Sequence, residues 1–442
     1  MIVMKFGGSS VANADRIKHV ASIIQAYADK KPIVVLSAMG DTTDHLLEAA
    51  DLAVNGTVDI SGVEKLHYET LKELDLECPE VYELLEELTT LLTGISMLRE
   101  LTKRTRDYLV SFGERLSVRI ASAYFNKIGL TSKFYDAWDV GFVSDANFMN
   151  ADLLDEVWQT IPEKLGGYKT GAIKEIPVVT GFIAKTKNGY ITTLGRGGSD
   201  LSATMLGAAL GADEVQTWKD VDGIMTTDPR IVKNARNVPE VTYEEASELA
   251  YYGAQVLHPR SMVPCRKTGT PVRVKNSYNI EHPGTIIVEK HLTEPESPVR
   301  AITVVKGVTM IDIESTRMLG SSGFMAHIFN NFLKWDLSVD MISTSEVCVS
   351  LTVKTDKDLT GLAEDIGKVG EVMIKGHKAI VTIICDIDKS SRILATCFKG
   401  LAEKGINAKM ISQGALNVNF SMICDESEVN DVVQTIHSAF FD

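Results

Sequence analysis

Two short glycine clusters in this sequence each stand beside a strong cation. MKFGGSS holds Lys5 with Gly7 and Gly8, and LGRGGSD places Arg196 among glycines. Glycines let backbone N–H groups approach a ligand with no side chain in the way, and a neighbouring cation indicates that the ligand is an anion. Lysine is a point charge suited to a phosphoryl group, whereas the planar fork of arginine suits a carboxylate. The two clusters therefore predict one site that holds a phosphate at Lys5 and a carboxylate at Arg196.

Two acidic residues complete this hypothesis. Asp200, in LGRGGSD, and Glu114, in SFGERLS, would supply negative charge for the ammonium group of a substrate. Each residue taken alone is equally compatible with a surface salt bridge, and a bare glycine pair is compatible with a structural turn. The prediction depends on placement, because each glycine cluster joins a predicted strand to a predicted helix. There, phosphate oxygens can accept N–H bonds at the positive end of the helix dipole.

The acid-rich stretch WKDVDGIMTTDPR, residues 218–230, is a third candidate. Its DG and DP pairs predict turns, and its spacing does not match the ligand pattern of an EF-hand. Beside a phosphate site, such a loop is expected to frame a nucleotide and its Mg²⁺. The histidines form no pattern, and His258 before Pro259 is interpreted as structural.

Length and composition restrict the class of protein. At 442 residues the chain is expected to form two or three domains. A formal net charge of −14 argues against nucleic acid or an anionic membrane as the main partner. The six cysteines include no CxxC pair, which favours a reducing compartment. No apolar run approaches the roughly 18 residues of a membrane span, so a cytoplasmic protein is predicted.

The elements that must position these residues follow from hydrophobic periodicity. Residues 1–6 and 31–38 predict buried strands, joined by a helix that Ser9 or Ser10 caps; this β-α-β unit implies parallel strands. Residues 176–184 and 190–194 predict two further strands that form a hairpin. Beyond the Pro- and Glu-rich residues 293–298, the segments 324–353 and 393–422 align without a gap. Each repeat predicts a helix and strands, and two such units would pack as a second domain of ferredoxin-like character.

Together these motifs resemble a known family. MKFGGSSV, SFGERLS, TTLGRGGSDLSA, WKDVDGIMTTDPR and GAQVLHP occur in the order and spacing of the aspartate kinases, which belong to the amino-acid kinase superfamily, and the C-terminal repeat resembles their paired ACT domains. The resemblance implies an α/β fold with a mostly parallel sheet sandwiched by helices, followed by two ferredoxin-like ACT domains. It implies a catalytic domain over 1–290, a linker over 291–300 and a regulatory domain over 301–442. The two ACT units are expected at about 307–384 and 385–442, with strands exchanged between them.

The resemblance also assigns site residues. The implied catalytic residues are Lys5 and Asp200. The implied aspartate-binding residues are Thr43, Glu114, Arg196, Gly198 and Ser199. The implied ATP-binding residues are Lys5, Gly7, Gly8, Ser9, Lys219, Asp220, Met225, Arg230, Gln255 and Val256. Met225 and Gln255 depart from the family pattern, since tyrosine and lysine are common at these positions. No protein-bound metal is implied beyond the Mg²⁺ that accompanies ATP.

The implied reaction is ATP-dependent phosphorylation of the side-chain carboxylate of L-aspartate to 4-phospho-L-aspartate, the first step toward lysine, threonine and methionine. A carboxylate is already ionised near neutral pH, so the reaction needs positioning and charge neutralisation and no general base. Two alternatives stay open at this point. One is an amino-acid kinase with another acceptor, such as glutamate, acetylglutamate, carbamate or UMP; the other is a non-catalytic amino-acid sensor.

Feedback inhibition by L-lysine is the last expectation. The resemblance implies a homodimer through the ACT domains and an effector site in the first ACT unit. Its implied residues are Met318, Ser321, Phe324, Met325, Val339, Asp340, Ser345 and Glu346. Two carboxylates, Asp340 and Glu346, suit a ligand with two ammonium groups. The second repeat carries Lys409 at the place of Asp340 and is expected to bind no lysine.

Overall fold

The protein is described from a computed structural model, which covers residues 1–253, 257–314, 323–414 and 417–442. The chain separates into two compact units. The first consists of Met1–Ile224, Pro239–Tyr243 and Val256–Leu292, and the second of Met225–Val238, Glu244–Gln255 and Thr293–Asp442. Two short segments ahead of residue 290 thus cluster with the C-terminal region, and the domain limits given above remain predictions.

The first unit is built around a mostly parallel sheet. Its strands are β1 (Ile2–Phe6), β2 (Pro32–Leu36), β3 (Ser132–Tyr135), β4 (Val143–Ser144), β5 (Ile176–Thr180), β6 (Ile183–Thr186), β7 (Ile191–Thr193), β8 (Glu214–Lys219), β9 (Glu240–Thr242), β10 (Val272–Asn276) and β11 (Thr285–Val288). Within the described ranges, eight of them form a sheet in the order β3-β5-β2-β1-β8-β10-β11-β9, and β4, β6 and β7 form a smaller sheet.

Helices of the same unit cover this sheet. As far as residue 268, the helices of the described chain are α1 (Ala14–Ala26), α2 (Thr42–Val54), α3 (Ser61–Glu73), α4 (Pro79–Leu98), α5 (Lys103–Lys127), α6 (Val157–Thr170), α7 (Gly198–Leu210), α8 (Tyr243–Tyr251) and α9 (Pro259–Thr268). Of these, α8 clusters with the second unit apart from Tyr243. Every residue of β1 and β2 is buried, as expected for parallel strands covered on both faces. The predicted β-α-β unit is confirmed, since β1 pairs with β2 in parallel.

The start of α1 differs from the prediction. Ser9 and Ser10 fall in a short 3₁₀ turn, Gly8–Val11, and the helix begins after Asn13, whose side chain accepts a hydrogen bond from the backbone N–H of Arg16. The predicted cap at Ser9 or Ser10 was therefore wrong. The glycine pair needs a few extra residues to turn away from the strand before an α-helical cap can form.

The run 176–184 also differs from the prediction, because it is two strands and not one. β5 joins the large parallel sheet, whereas β6 pairs with β7 in the small sheet. The break falls at Gly181 and Phe182, and Phe182 has a left-handed backbone with φ 67°. The predicted hairpin itself forms, with Gly189 at φ 84° in its turn.

The second unit contains the repeat. From residue 299 on, its described strands are β12 (Val299–Glu314), β13 (Met341–Thr344), β14 (Cys348–Val353), β15 (Glu371–Cys385), β16 (Met410–Gln413) and β17 (Asn419–Asp425), and its helices are α10 (Phe324–Lys334), α11 (Thr360–Gly367), α12 (Ser390–Glu403) and α13 (Val429–Phe441). The described strands form one antiparallel sheet in the order β13-β14-β12-β15-β17-β16.

The two long strands of this sheet each serve both repeats. The end of β12, from Thr309 to Glu314, pairs with β14 of the first repeat, while its beginning pairs with the end of β15. The side chains follow the same division. Val299 and Ile302 pack in the core under α12 and α13, whereas Ile311 and Ile313 pack in the core under α10 and α11. Each repeat is thus completed by a strand segment that lies beyond its own sequence.

A third cluster lies on the sheet face opposite these helices. It contains Met310, Met341, Ile380 and Met410, among other apolar residues. β13 and β16, at the two ends of the strand order, contact each other. The sheet is therefore strongly curled around this apolar face.

Among the described helices, none has the length and apolar character to cross a membrane.

Candidate active site

Residues of both glycine clusters line one pocket in the first unit. Lys5 lies near the end of β1, the strand flanked by β2 on one side and β8 on the other. Such a reversal in strand order is where open α/β sheets commonly bind ligands. The pocket encloses about 290 Å³. In the described part of the chain, its lining is Lys5, Thr43, Glu114, Phe182, Gly195, Gly197, Gly198, Ser199 and Asp200.

Lys5 and Asp200 are paired in this pocket. The Lys5 ammonium lies 2.8 Å from Asp200 Oδ1, and each side chain is about one-tenth exposed. Their orientation does not meet hydrogen-bond geometry, since Oδ1 has no hydrogen-bond partner, so the contact is a charge pairing. Asp200 lies in the first turn of α7, where the helix dipole also favours its negative charge. The Asp200 carboxylate can therefore keep the Lys5 ammonium in place, and the ammonium can still bind a phosphoryl group.

Glu114 also has one oxygen that makes no hydrogen bond with the described residues. The residue is 4 % exposed; Oε1 accepts a hydrogen bond of 3.2 Å from the backbone N–H of Ala38, and buried Oε2 accepts none from the residues that the structure describes. Desolvation raises the pKa of Glu114 to about 8, against the lowering effects of that hydrogen bond and of nearby Lys5. A buried carboxylate oxygen without a partner is costly. A ligand ammonium would relieve that cost.

Phe182 is a pocket residue that the motifs did not indicate. Its left-handed φ of 67° is unusual for a bulky side chain. It is held by a hydrogen bond from its N–H to Ser202 Oγ at 3.1 Å and by one from Leu194 N–H to its carbonyl at 2.8 Å. A Cβ at Gly198 would lie 2.7 Å from the Phe182 ring. The glycine is therefore required so that the ring can close the pocket against the start of α7.

Arg196 is placed differently from its neighbours. It is exposed, and it is absent from the described lining although Gly195 and Gly197 on either side contribute to it. Its guanidinium acts on His258, whose pKa is lowered first by burial and then by Arg196. His258 accepts a hydrogen bond from Arg260 N–H and caps α9, which agrees with its structural interpretation.

The predicted nucleotide residues are spread over several segments. Gly7, Gly8 and Ser9 follow β1 directly, and Lys219 ends β8 with exposed Asp220 after it. Burial lowers the pKa of Lys219, and Asp200 opposes this effect, so Lys219 lies near the same charges.

The other predicted nucleotide residues are not joined to this group. Met225 and Arg230 cluster with the second unit. Exposed Arg230 is paired with Asp228 at 2.7 Å. Gln255 and Val256 lie outside the described residues.

The predicted effector residues lie in the first repeat. Phe324, Met325 and Val339 pack against the core under α10 and α11. Ser345 Oγ accepts hydrogen bonds from the N–H groups of Val347 and Cys348 in the turn between β13 and β14. Glu346, in the same turn, is exposed. Met318 and Ser321 lie outside the described residues.

Asp340 is the half-buried acid among them. Its Oδ1 lies 3.5 Å from the hydroxyl of Tyr251, and its buried Oδ2 has no hydrogen-bond partner among the described residues. Burial raises the pKa of Asp340, against the effects of Tyr251 and of nearby Lys354. Lys409, at the matching place in the second repeat, is paired with Asp425 at 3.2 Å. The two repeats therefore differ in charge and in whether that charge is met.

Comparison with known proteins agrees with this arrangement. Residues 1–276 match the amino acid kinase family, and residues 386–440 match the ACT domain. Aspartokinase 1, chloroplastic, of Arabidopsis thaliana is 47 % identical over 458 residues, which cover 100 % of this chain and 80 % of the relative.

Two solved structures of one enzyme match over 100 % of both chains. E. coli aspartokinase III in complex with lysine and aspartate, in its T-state, has a TM-score of 0.84 at 29 % identity. The same enzyme with aspartate and ADP, in its R-state, has a TM-score of 0.80 at 30 % identity. The fold class predicted from the sequence is thus confirmed, and the chain belongs to the aspartokinases of the amino acid kinase family.

Proposed function

We propose that this aspartokinase transfers the γ-phosphoryl group of ATP to the side-chain carboxylate of L-aspartate in the pocket around Lys5, giving 4-phospho-L-aspartate. The observation that carries the proposal is the meeting of the two glycine clusters in one pocket, which sets a paired cation opposite an unsatisfied carboxylate. Lys5 neutralises charge on the transferring phosphoryl group, and Glu114 receives the α-ammonium of the amino acid. Arg196 is exposed and does not line the pocket, but it stands between two lining residues, Gly195 and Gly197, and is proposed to reach the α-carboxylate from there.

The described geometry supports a mechanism of positioning. The attacking carboxylate needs no deprotonation, so the protein must align two anions that repel each other. Lys5 offsets that repulsion from the end of β1, and the backbone N–H groups at the start of α7 add the positive end of a helix dipole. Lys5, Glu114 and Asp200 are themselves buried in this pocket, which strengthens the charge interactions between them.

Mg²⁺ is part of this proposal. An Mg²⁺ ion carried on ATP is typically held by one or two protein carboxylates together with water and phosphate oxygens. The exposed carboxylate of Asp220 would hold the ion from the loop after β8. When bound, Mg²⁺ supplies further charge neutralisation at the phosphates.

A coupled assay of ADP release tests the proposal. Rates are measured with L-aspartate, with L-glutamate and with no acceptor. Release that depends on L-aspartate alone supports the proposal, because the pocket is then specific for the shorter acid. Release that is equal with L-glutamate would reassign the acceptor, and no acceptor-dependent release would leave a sensor.

The regulatory part of the proposal concerns L-lysine. The related E. coli enzyme has been solved in complex with lysine, and in the present chain Asp340 has a buried oxygen that no described residue hydrogen-bonds. We propose that L-lysine binds at Asp340 and Glu346 of the first repeat and inhibits. It must then favour an inactive state by its differential affinity, typically about 1–3 kcal/mol.

A homodimer through the ACT domains is also proposed. Phe329 and Leu333, one turn apart on α10, are 41 % and 77 % exposed. Light scattering tests whether Leu333→Glu, which places a charge on this exposed apolar face, abolishes the dimer. A dimer that persists would place the interface elsewhere. A cytoplasmic location remains part of the proposal, and the six free cysteines agree with a reducing compartment.

A further inference from the structure

Two side chains outside the pocket converge on the strand that leads into its glycine-rich loop. We call residues 194–198 the substrate loop and residues 149–152 the facing segment. Asp107, in α5, is 1 % exposed. Its carboxylate accepts hydrogen bonds from Thr193 N–H at 3.0 Å, from Thr193 Oγ1 at 2.8 Å and from Met149 N–H at 2.9 Å. Asp107 thus fixes Thr193, which directly precedes the substrate loop, and Met149, which begins the facing segment.

Arg260, in the first turn of α9, holds the same two segments from the other side. Nη1 donates to the carbonyl of Leu194 at 2.8 Å and to Asn150 Oδ1 at 2.9 Å. Nη2 donates to Asp152 Oδ1 at 2.6 Å and to the carbonyl of Ala151. The guanidinium is therefore fully engaged by the substrate loop and the facing segment.

The two segments fit together closely at this point. Gly195 has φ 71°, and a Cβ there would lie 2.4 Å from Asn150 Oδ1. A backbone hydrogen bond of 2.9 Å, from Ala151 N–H to the Thr193 carbonyl, joins the same pair. Since Arg260 fixes the Asn150 side chain, it also fixes the surface against which Gly195 packs. The position of the substrate loop therefore depends on groups that do not line the pocket.

We infer that Asp107 and Arg260 are positioning residues for the acceptor site. They hold the substrate loop so that Gly195, Gly197 and the start of α7 face the pocket at a fixed distance from Lys5. The inference deepens the proposed function and rests on it. Neither residue is among the lining described for the pocket, so their removal should loosen the loop and leave the charges of the site in place.

Arg260 is the better residue to test, because it is on the rim and Asp107 is buried. We compare Arg260→Gln with Arg273→Gln. Arg273 is a matched control, since its side chain is 24 % exposed against 25 % for Arg260 and its ion pair, to Glu214, is 2.7 Å long against 2.6 Å. Its hydrogen bonds go to Glu214 and the Pro283 carbonyl.

We expect Arg260→Gln to lower kcat/KM for L-aspartate by about 10- to 100-fold, chiefly through KM, with little change in KM for ATP. Arg260→Lys should recover part of the loss, since one ammonium can still reach one of the carbonyls. Amide hydrogen exchange should become faster in residues 193–198 of Arg260→Gln and stay unchanged there in Arg273→Gln.

Two results would overturn the inference. One is Arg260→Gln kinetics equal to those of Arg273→Gln. The other is unchanged exchange in residues 193–198, which would leave Arg260 with a general role in stability. Hydrogen exchange does not depend on turnover, so it still decides if the wild-type chain shows no aspartate-dependent ADP release, the result that would count against the proposed function itself. Asp107→Asn should change exchange in the same direction.

Discussion

Glu114 in the kinase pocket and Asp340 in the first repeat share an uncommon feature. Each is an acid with one buried oxygen that makes no hydrogen bond within the described part of the chain, and burial raises the pKa of both. They differ in how firmly they are held. Glu114 accepts a hydrogen bond of 3.2 Å from the N–H of Ala38 and lies near Lys5, whereas Asp340 has a longer contact of 3.5 Å to Tyr251 and lies near Lys354.

The second repeat shows what this difference means. Lys409 stands where the first repeat has Asp340, and its charge is neutralised by Asp425. Within the described residues, the same backbone position thus carries an acid with an unpartnered oxygen in the first repeat and an ion-paired lysine in the second. We propose that the unpartnered oxygens of Glu114 and Asp340 bind amino-acid ligands, Glu114 at the catalytic site and Asp340 at the regulatory one.

The largest effect should come from removing Lys5, the cation paired with Asp200 in the kinase pocket. Lys5→Ala should lower kcat by about 10²–10³-fold, because preorganised charge stabilisation of this kind is worth roughly 2.7–4 kcal/mol. The coupled ADP assay measures the loss, and thermal unfolding shows whether the variant is folded with Asp200 unpaired. Lys18→Ala, which removes an exposed lysine paired with Asp15, should keep its activity. Near-normal kcat in folded Lys5→Ala would remove Lys5 from the mechanism.

The next effect is a pH dependence that belongs to Glu114. Its pKa of about 8 leaves it largely protonated at neutral pH, and only the carboxylate attracts an ammonium. We expect kcat/KM for L-aspartate to rise with pH by up to about tenfold per unit, and to level off near pH 8. In Glu114→Gln the profile should be low and flat over the same range. A wild-type profile that is already flat between pH 6 and 8 contradicts the assignment.

Glu114 also gives a stability test with a definite sign. Its pKa is raised in the folded state, so the native protein binds the extra proton. The free energy of unfolding should therefore fall as the pH rises from 4.5, the ordinary pKa of a glutamate, to about 8, the pKa of Glu114 in the folded protein. Urea midpoints at pH 5 and pH 9 should differ less in Glu114→Gln than in the wild type. An equal difference in the two proteins would show that other groups dominate.

A smaller effect is expected at the regulatory site. Asp340→Asn should raise the L-lysine concentration needed for half inhibition by at least about fivefold, the lower end of typical coupling. Lys409→Gln is its matched control in the second repeat and should leave lysine inhibition as it is. Equal effects of the two variants would mean that the repeats do not differ in the way described.

The smallest change should follow from Glu346→Gln. This side chain is exposed, so solvent screens its attraction for an ammonium and the contribution is about 1 kcal/mol or less. Half inhibition by L-lysine should shift by a few-fold at low salt and by less at high salt. A shift larger than that of Asp340→Asn would reverse the order of the two acids.

Much of the pocket could be predicted because its residues stand at strand ends and helix starts. Lys5 at the end of β1 and Asp200 in the first turn of α7 are placed by the hydrophobic pattern around them. Their direct pairing could not be predicted, since the motifs assigned one to phosphate and the other to an ammonium. Contacts between residues so far apart in sequence depend on the packing of the whole sheet.

Phe182 could not be predicted for a different reason. The apolar run 176–184 gives no sign of the break between β5 and β6, because buried strands on either side of a bend have the same composition. Only the Gly-Phe pair in TGFIA hints at a bend. Likewise, the two short segments ahead of residue 290 cluster with the C-terminal unit through contacts that no local pattern encodes.

The strands shared between the repeats have a consequence for the order in which the chain folds during translation. Val299, at the start of β12, pairs with Cys385, at the end of β15. The first strand to be translated must therefore wait for a partner that is translated after the whole first repeat. Closing so long a loop is slow, and an unpaired apolar strand is exposed in the meantime. We expect the regulatory half to fold as one late event after its last strand emerges. A chain truncated between the repeats should aggregate, since the beginning of β12 would then lack its partner at the end of β15.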